Sequence, residues 1–163
     1  MICLRTAFLA LSLSLTSAFA YELPPLEKSV EDPSTGLNVQ PGFVVEKLYQ
    51  VDKRKFGSWI AIAFDGKGRL TVSDQGGAGT FSVEIPKPGE TVDESKIKKL
   101  NVKSSQWGML YAFDHLYMMG NRVLSRAKVL DNGDLGPTEV IAPMNGGGEH
   151  GPHSIIVSPD GKS

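Results

Sequence analysis

Two histidines three residues apart, His150 and His153, follow Glu149 and a run of three glycines, Gly146 to Gly148. An imidazole takes up and releases a proton near neutral pH, which suits it to acid and base work. Glycine admits backbone conformations closed to other residues, so the run either lets a flat ligand approach closely or serves as a flexible connection. Imidazole and carboxylate together also suit a metal ion such as zinc. That requires the side chains to converge, and on a loop entering a strand no helix aligns them, so no metal site is expected.

A second polar cluster, Ser73-Asp74-Gln75-Gly76-Gly77, ends a strand pattern. It either presents Asp74 and Gln75 to a central opening or only turns the chain. Asp131-Asn132-Gly133-Asp134 gathers carboxylates around a glycine but lacks the full calcium-loop pattern. Asn-Gly between strands is a hairpin signal, and the turn reading is preferred. His115 falls at a tight turn and is expected to face solvent. No GxSxG elbow, P-loop, GxGxxG opening a helix, or CxxCH haem site occurs.

The chain has 163 residues, 17 basic and 18 acidic, with a net charge of −1. Without a basic excess, nucleic acid is not an expected partner. Residues 1–20 carry Arg5, then the apolar run Ala7 to Leu15, then the small-residue site Ala18-Phe19-Ala20. This is the pattern of a secretory signal peptide cleaved near Ala20, so the mature chain is expected to be secreted or periplasmic. The apolar run is shorter than the roughly 20 residues of a membrane helix, and no later run is longer, so no transmembrane segment is expected. Cys3, the only cysteine, precedes the cut, leaving neither disulfide nor thiolate site in the mature chain.

The elements that must position these residues are short strands. Residues 21–41, with Pro24, Pro25 and Pro33, read as an extended leader. From Gly42 onward the spacing predicts strands at Phe43 to Gln50, Trp59 to Phe64, Arg69 to Ser73, Thr80 to Ile85 and Lys98 to Val102. A second series follows at Met109 to Phe113, Leu116 to Met119, Arg122 to Val129 and Thr138 to Ile141, and His153 to Val157 opens a third. Trp59 to Phe64, apolar almost throughout, suits a strand covered on both sides. In Thr80 to Ile85, Phe81, Val83 and Ile85 share a buried face, and Thr80, Ser82 and Glu84 a wetted one. The lysines of residues 96–102 mark an exposed sheet edge. Turn aspartates Asp65, Asp114 and Asp160 recur about every 45 to 50 residues, the period of a four-stranded propeller blade. Trp59 and Trp107 occupy matching positions in that period, where packing between blades explains them better than stacking on a substrate.

The expected fold is therefore an all-β propeller. Residues 42–163 would supply two blades, the start of a third, and in Phe43 to Gln50 a strand completing the last blade of the ring. On this reading the chain is the N-terminal part of a longer protein. A complete β-sandwich of about ten strands is the alternative architecture.

The phrases GSWIAIAFDGKGRLTVSDQGG, WGMLYAFDHLYMMGN and GGGEHGPHSIIVSPDGKS together resemble large secreted bacterial proteins described as membrane-bound dehydrogenases. Those proteins are similar to the quinoprotein glucose and sorbosone dehydrogenases. The resemblance covers residues 42–163 and implies a six-bladed propeller holding pyrroloquinoline quinone (PQQ) with calcium over a central opening. It implies His150 as the general base that removes a substrate hydroxyl proton, and Gly148, Glu149, His153 and Gln75 as cofactor-binding positions. Where active members usually carry an arginine or another polar residue shortly after the histidine, this chain has Pro152, His153 and Ser154. Implied partners are a sugar or other alcohol as substrate and an electron acceptor such as a cytochrome. The calcium site, and any c-type haem domain, would lie beyond these residues. A propeller that binds extracellular carbohydrate or protein without redox chemistry is the alternative function.

Overall fold

The computed structural model describes residues 27–120, 122–146 and 151–163. They fall into two compact units, Met1–Val45 and Glu46–Ser163. The expected signal peptide, residues 1–20, lies outside the described residues.

In the first unit, β1 (Val30–Asp32) and β2 (Leu37–Val39) form a two-stranded antiparallel ribbon. Asp32 closes it: its carboxylate accepts the Ser34 amide at 2.8 Å, and its carbonyl accepts the Gly36 amide at 2.8 Å. Gly36 has φ 68°, a conformation glycine enters without steric cost. The expected leader is thus interrupted by a ribbon whose strands are too short and exposed to show an apolar alternation.

The second unit is mostly β. A four-residue helix, α1 (Lys53–Phe56), is capped by the Asp52 carboxylate on the Arg54 amide and stopped at Gly57 (φ 73°). One antiparallel sheet follows in chain order: β3 (Trp59–Phe64), β4 (Arg69–Asp74), β5 (Thr80–Glu84) and β6 (Lys98–Lys99). The other consists of β7 (Gln106–Ala112), β8 (His115–Gly120), β9 (Val123–Val129) and β10 (Leu135–Pro143), again each beside its sequence neighbour. The all-β expectation holds for the described residues, and β3 has the expected bounds.

The sheets pack face to face. Ala63, Leu100, Leu116, Met118, Ala127 and Leu135 form the core between them. β3 and β4 both touch β7, and the Thr71 hydroxyl and Tyr111 phenol share a hydrogen bond of 2.7 Å across the junction. The opposite face of the first sheet buries Val72, Phe81 and Val83 beneath Phe56, Trp59, Val92 and Ile97.

Three expectations are corrected. Thr80 is buried, because its face meets the second sheet: its hydroxyl donates to the Lys103 carbonyl at 2.8 Å and lies 3.2 Å from Ser73 Oγ. β3 is covered on one side only, with Ala61 and Ala63 inward and Ile62 and Phe64 outward. Residues 43–50 and 153–157 form no strand. The first run offers one backbone pairing, the Val92 amide to the Leu48 carbonyl at 2.9 Å, too little for a ladder.

Candidate functional site

In each sheet the odd strands run away from one end, here termed the leading end, and the even strands return to it. The starts of β3 and β7 therefore share it with the β4–β5 turn, the β8–β9 turn and His153, whose ring lies 6.1 Å from Trp107 on β7. Gln75 and His153 are thus brought to one end of the unit. The remaining expected site residues, Gly148, Glu149 and His150, lie outside the described residues.

Asp74 organises this end. Its carboxylate accepts the Ser58 amide at 2.7 Å and the Ala78 amide at 2.8 Å, and only 3 % of the residue is exposed. Burial would raise its pKa, yet the amides of Ala78, Ser58, Gly76 and Gln75 outweigh that and hold it below the ordinary 3.8. Gly57 is required beside it, since a Cβ there would overlap the carboxylate. Asp74 is thus a clamp on the backbone, not a group presented to an opening.

The neighbouring residues join the two sheets. The Ser105 amide donates to the Asp74 carbonyl at 2.8 Å, and Ser105 Oγ donates to the Gln75 carbonyl at 2.8 Å. The Gln106 amide donates to Ser73 Oγ at 3.1 Å. The Gln75 amide reaches the Ser58 carbonyl at 2.8 Å, while the residue as a whole is exposed. The Ser73–Gly77 turn therefore knits β3 to β7 through its backbone and leaves Gln75 on the surface of the leading end.

His153 is half-buried, with its carbonyl against Gly108 of β7; a Cβ at Gly108 would overlap that oxygen. Trp107 meets the imidazole edge-on, whereas Trp59 lies 5.7 Å from Tyr49 and donates its indole N–H to the Phe56 carbonyl at 3.1 Å. Both tryptophans therefore pack within the protein.

At the opposite end, Asp65 accepts the Lys67 amide at 2.7 Å and Arg69 Nε at 2.7 Å. Burial acts to raise its pKa, but the Lys67 and Arg69 bonds bring it below the ordinary value. Asp160 repeats the device, accepting the Lys162 amide at 3.1 Å. His115 follows the Phe113–Asp114 turn, and its Nδ1 lies 2.6 Å from the Phe113 carbonyl. Asp131–Asp134 form the β9–β10 turn, closed by the Gly133 amide on the Leu130 carbonyl at 2.8 Å; Asp134 pairs with Lys98. Among the described residues no group of three or more His, Cys, Asp or Glu is arranged to hold a metal ion, and no helix is long and apolar enough to cross a membrane.

The sequence reading missed a cleft of about 640 Å³ between residues 99–103 and strands β8 to β10. Its apolar lining, Leu100, Val102, Met118, Val123 and Val140, comes from separate segments and left no signal in the sequence. Compared with known proteins, the chain matches no family model, no curated protein and no solved structure.

Proposed function

We propose that residues 42–163 are consecutive blades of a β-propeller of the quinoprotein glucose and sorbosone dehydrogenase type, in a protein exported by the signal sequence 1–20. Its reaction would be oxidation of a sugar or other alcohol at the loop that includes His150. The observation that carries this reading is the repeated placement of leading segments. β3 lies on β7, and the His153 segment lies on the start of β7 through Gly108, followed by the same Asp-Gly-Lys turn that follows β3.

The described residues suit the implied cofactor in kind. Gln75 offers a carboxamide at the leading end, and Arg122, exposed in the β8–β9 turn, offers a cation for an anionic quinone. When bound, PQQ would supply the two-electron acceptor that side chains lack. His150 would accept the hydroxyl proton as the carbinol carbon gives up its hydride. Gly148 and Glu149 would line the quinone, and His153, held by Trp107, would fix where the loop ends. Calcium would be held by residues outside these blades, and the electrons would leave to an acceptor such as a cytochrome.

A second reading, a propeller that binds extracellular carbohydrate or protein without redox chemistry, draws on one fact: the polar groups Asp74 and His153 are both engaged in packing.

The test is to add PQQ and calcium to the protein, follow binding by tryptophan fluorescence, and measure sugar-dependent or alcohol-dependent dye reduction. Saturable quinone binding with dye reduction is expected, and His150→Ala should lose about 100-fold or more of the rate, the scale of general-base catalysis, while keeping its fold. No quinone binding, or equal rates in the variant, would leave the non-catalytic reading.

A further inference from the structure

The cleft between the two sheets holds a hydrogen-bond acceptor that the fold leaves unused, whatever becomes of the quinone reading. Gln106, at the start of β7, is only 5 % exposed and lines the cleft. Its Nε2 donates to the Lys103 carbonyl at 3.2 Å and to the Ser104 carbonyl at 3.3 Å. Both partners are acceptors, so the carboxamide has one orientation and Oε1 is the atom left over. Among the described residues Oε1 accepts no hydrogen bond, yet no side-chain oxygen sealed from solvent lacks a partner, so Oε1 meets open space.

Cross-strand register identifies that space. Gly120 pairs with Gln106 on one side and with Val123 on the other. Met118, two residues before Gly120 and so on the same face of β8, packs into the core between the sheets. A Cβ on Gly120 would stand on that face, 2.8 Å from Gln106 Oε1. The oxygen therefore lies over Gly120, on the cleft side of the second sheet. The next row on that face is Met118, Ser125 and Val140, paired across β8, β9 and β10. Ser125 is small, so the row is hollow between its two apolar members.

No charged partner is fixed there. Among the described residues no carboxylate lines the cleft, Lys99 pairs with Phe81 and carries its stem over Gly79, away from it, and Lys103 is exposed. The volume of about 640 Å³ is within the roughly 300 to 1,000 Å³ typical of small-molecule sites, which are mostly apolar with a few polar groups. A largely apolar lining with one fixed acceptor suits a neutral molecule with a hydrocarbon body and one donor. An ammonium also donates, but no counter-charge offsets its loss of water. We propose that this inter-sheet cleft binds a neutral aliphatic alcohol, its hydroxyl donating to Gln106 Oε1 and its hydrocarbon chain lying against Leu100, Met118 and Val140.

The probe is 1-hexanol, titrated into the intact protein without quinone and followed by methyl NMR. Pentyl methyl ether, its isomer, lacks the donor, and hexylammonium carries the donor on a charge. Saturable shifts at the methyl groups of Leu100, Met118, Val123 and Val140 are expected with hexanol. Hexanol should bind at least about threefold more tightly than the ether, the scale of one neutral hydrogen bond, and more tightly than hexylammonium. Gln106→Met removes the acceptor and should bring hexanol to the affinity of the ether. Because it also gives up two bonds to carbonyls, a second variant accompanies it. Val140→Asp, at a position 67 % exposed, puts a hydrated charge beside the hydrocarbon chain and should weaken alcohol and ether alike. Absence of saturable shifts, equal affinity for hexanol and the ether, tighter binding of hexylammonium, or undiminished affinity in Val140→Asp would overturn the proposal, as would a folded Gln106→Met that still prefers the alcohol.

Discussion

At the scale of single residues, Asp74 gives the most to the structure for its size. One carboxylate bonds the Ser58 amide before β3 and the Ala78 amide before β5, and its own carbonyl receives Ser105 before β7. Removing it leaves the part-buried amides of Ser58 and Ala78 without their acceptor, so Asp74→Ala is expected to cost about 1 to 3 kcal/mol in urea denaturation. Asp74→Asn should cost less, since it keeps an acceptor oxygen but loses the charge. The pH dependence separates the two effects. A carboxyl held below its ordinary value stabilises the folded state above the unfolded pKa, and that stability is lost as pH falls through the lower folded value. Wild-type protein should therefore lose stability as pH falls from above 3.8 to below it, and Asp74→Asn should lose less over the same interval. Asp65, Asp93, Glu94, Asp134 and Asp160, among others depressed in the same direction, remain in both proteins and set the residual slope. Parallel pH profiles for the two would show that the Asp74 charge does not contribute.

At the scale of elements, backbone approach decides what the second sheet can carry. Gly108 has no Cβ, and only for that reason can the His153 carbonyl lie against β7. Gly108→Val is expected to lift residues 151–157 from β7, removing the Trp107–His153 contact. Protease sensitivity should rise in that segment, while Leu116 and Met118, buried on the opposite face of the sheet, keep the sheets together. An unchanged cleavage pattern would mean that the segment does not depend on Gly108.

The sequence made β3 to β5 and β7 to β10 legible because short apolar or alternating runs are separated by turn residues, Asp65-Gly66 and Asn132-Gly133 among them. It did not reveal that Thr80 is buried: a hydroxyl satisfied by a facing carbonyl looks the same in sequence as one satisfied by water. Nor did it exclude a strand at residues 43–50, since a β-rich run needs a neighbouring backbone that sequence does not show. Of the candidate site, Gln75 and His153 were placed at one end, but Asp74 changed from a presented group to a clamp. Amides from separate segments, before β3, β5 and β7, converge on it, and that convergence depends on folding. The cleft was illegible for a similar reason, because the residues that line it, Leu100, Met118, Val123 and Val140 among them, come from segments distant in sequence.

At the scale of the whole Glu46–Ser163 unit, the first sheet's outer face is half covered. Cross-strand register places Ile62, Val72 and Phe81 in one row and Phe64, Leu70 and Val83 in the next. Each row is buried at its β5 end and open at its β3 end, with Ile62 62 % and Phe64 56 % exposed. A stripe of large apolar side chains beside a buried cluster marks an association surface, as a blade face would be when another blade packs on it. The net charge of −1 gives little long-range repulsion to oppose association. Ile62→Ser/Phe64→Ser is therefore expected to shift the protein toward monomer in sedimentation velocity. It should cost only about 1 kcal/mol of stability, since both side chains already meet water and mainly strand preference is lost. Ala61→Ser/Ala63→Ser, one residue away on the covered face, should do the reverse, lowering stability through buried hydroxyls without relieving association. If the outward pair left self-association unchanged, the exposed stripe would be an ordinary solvated face, and the propeller reading would lose the surface on which a neighbouring blade would pack.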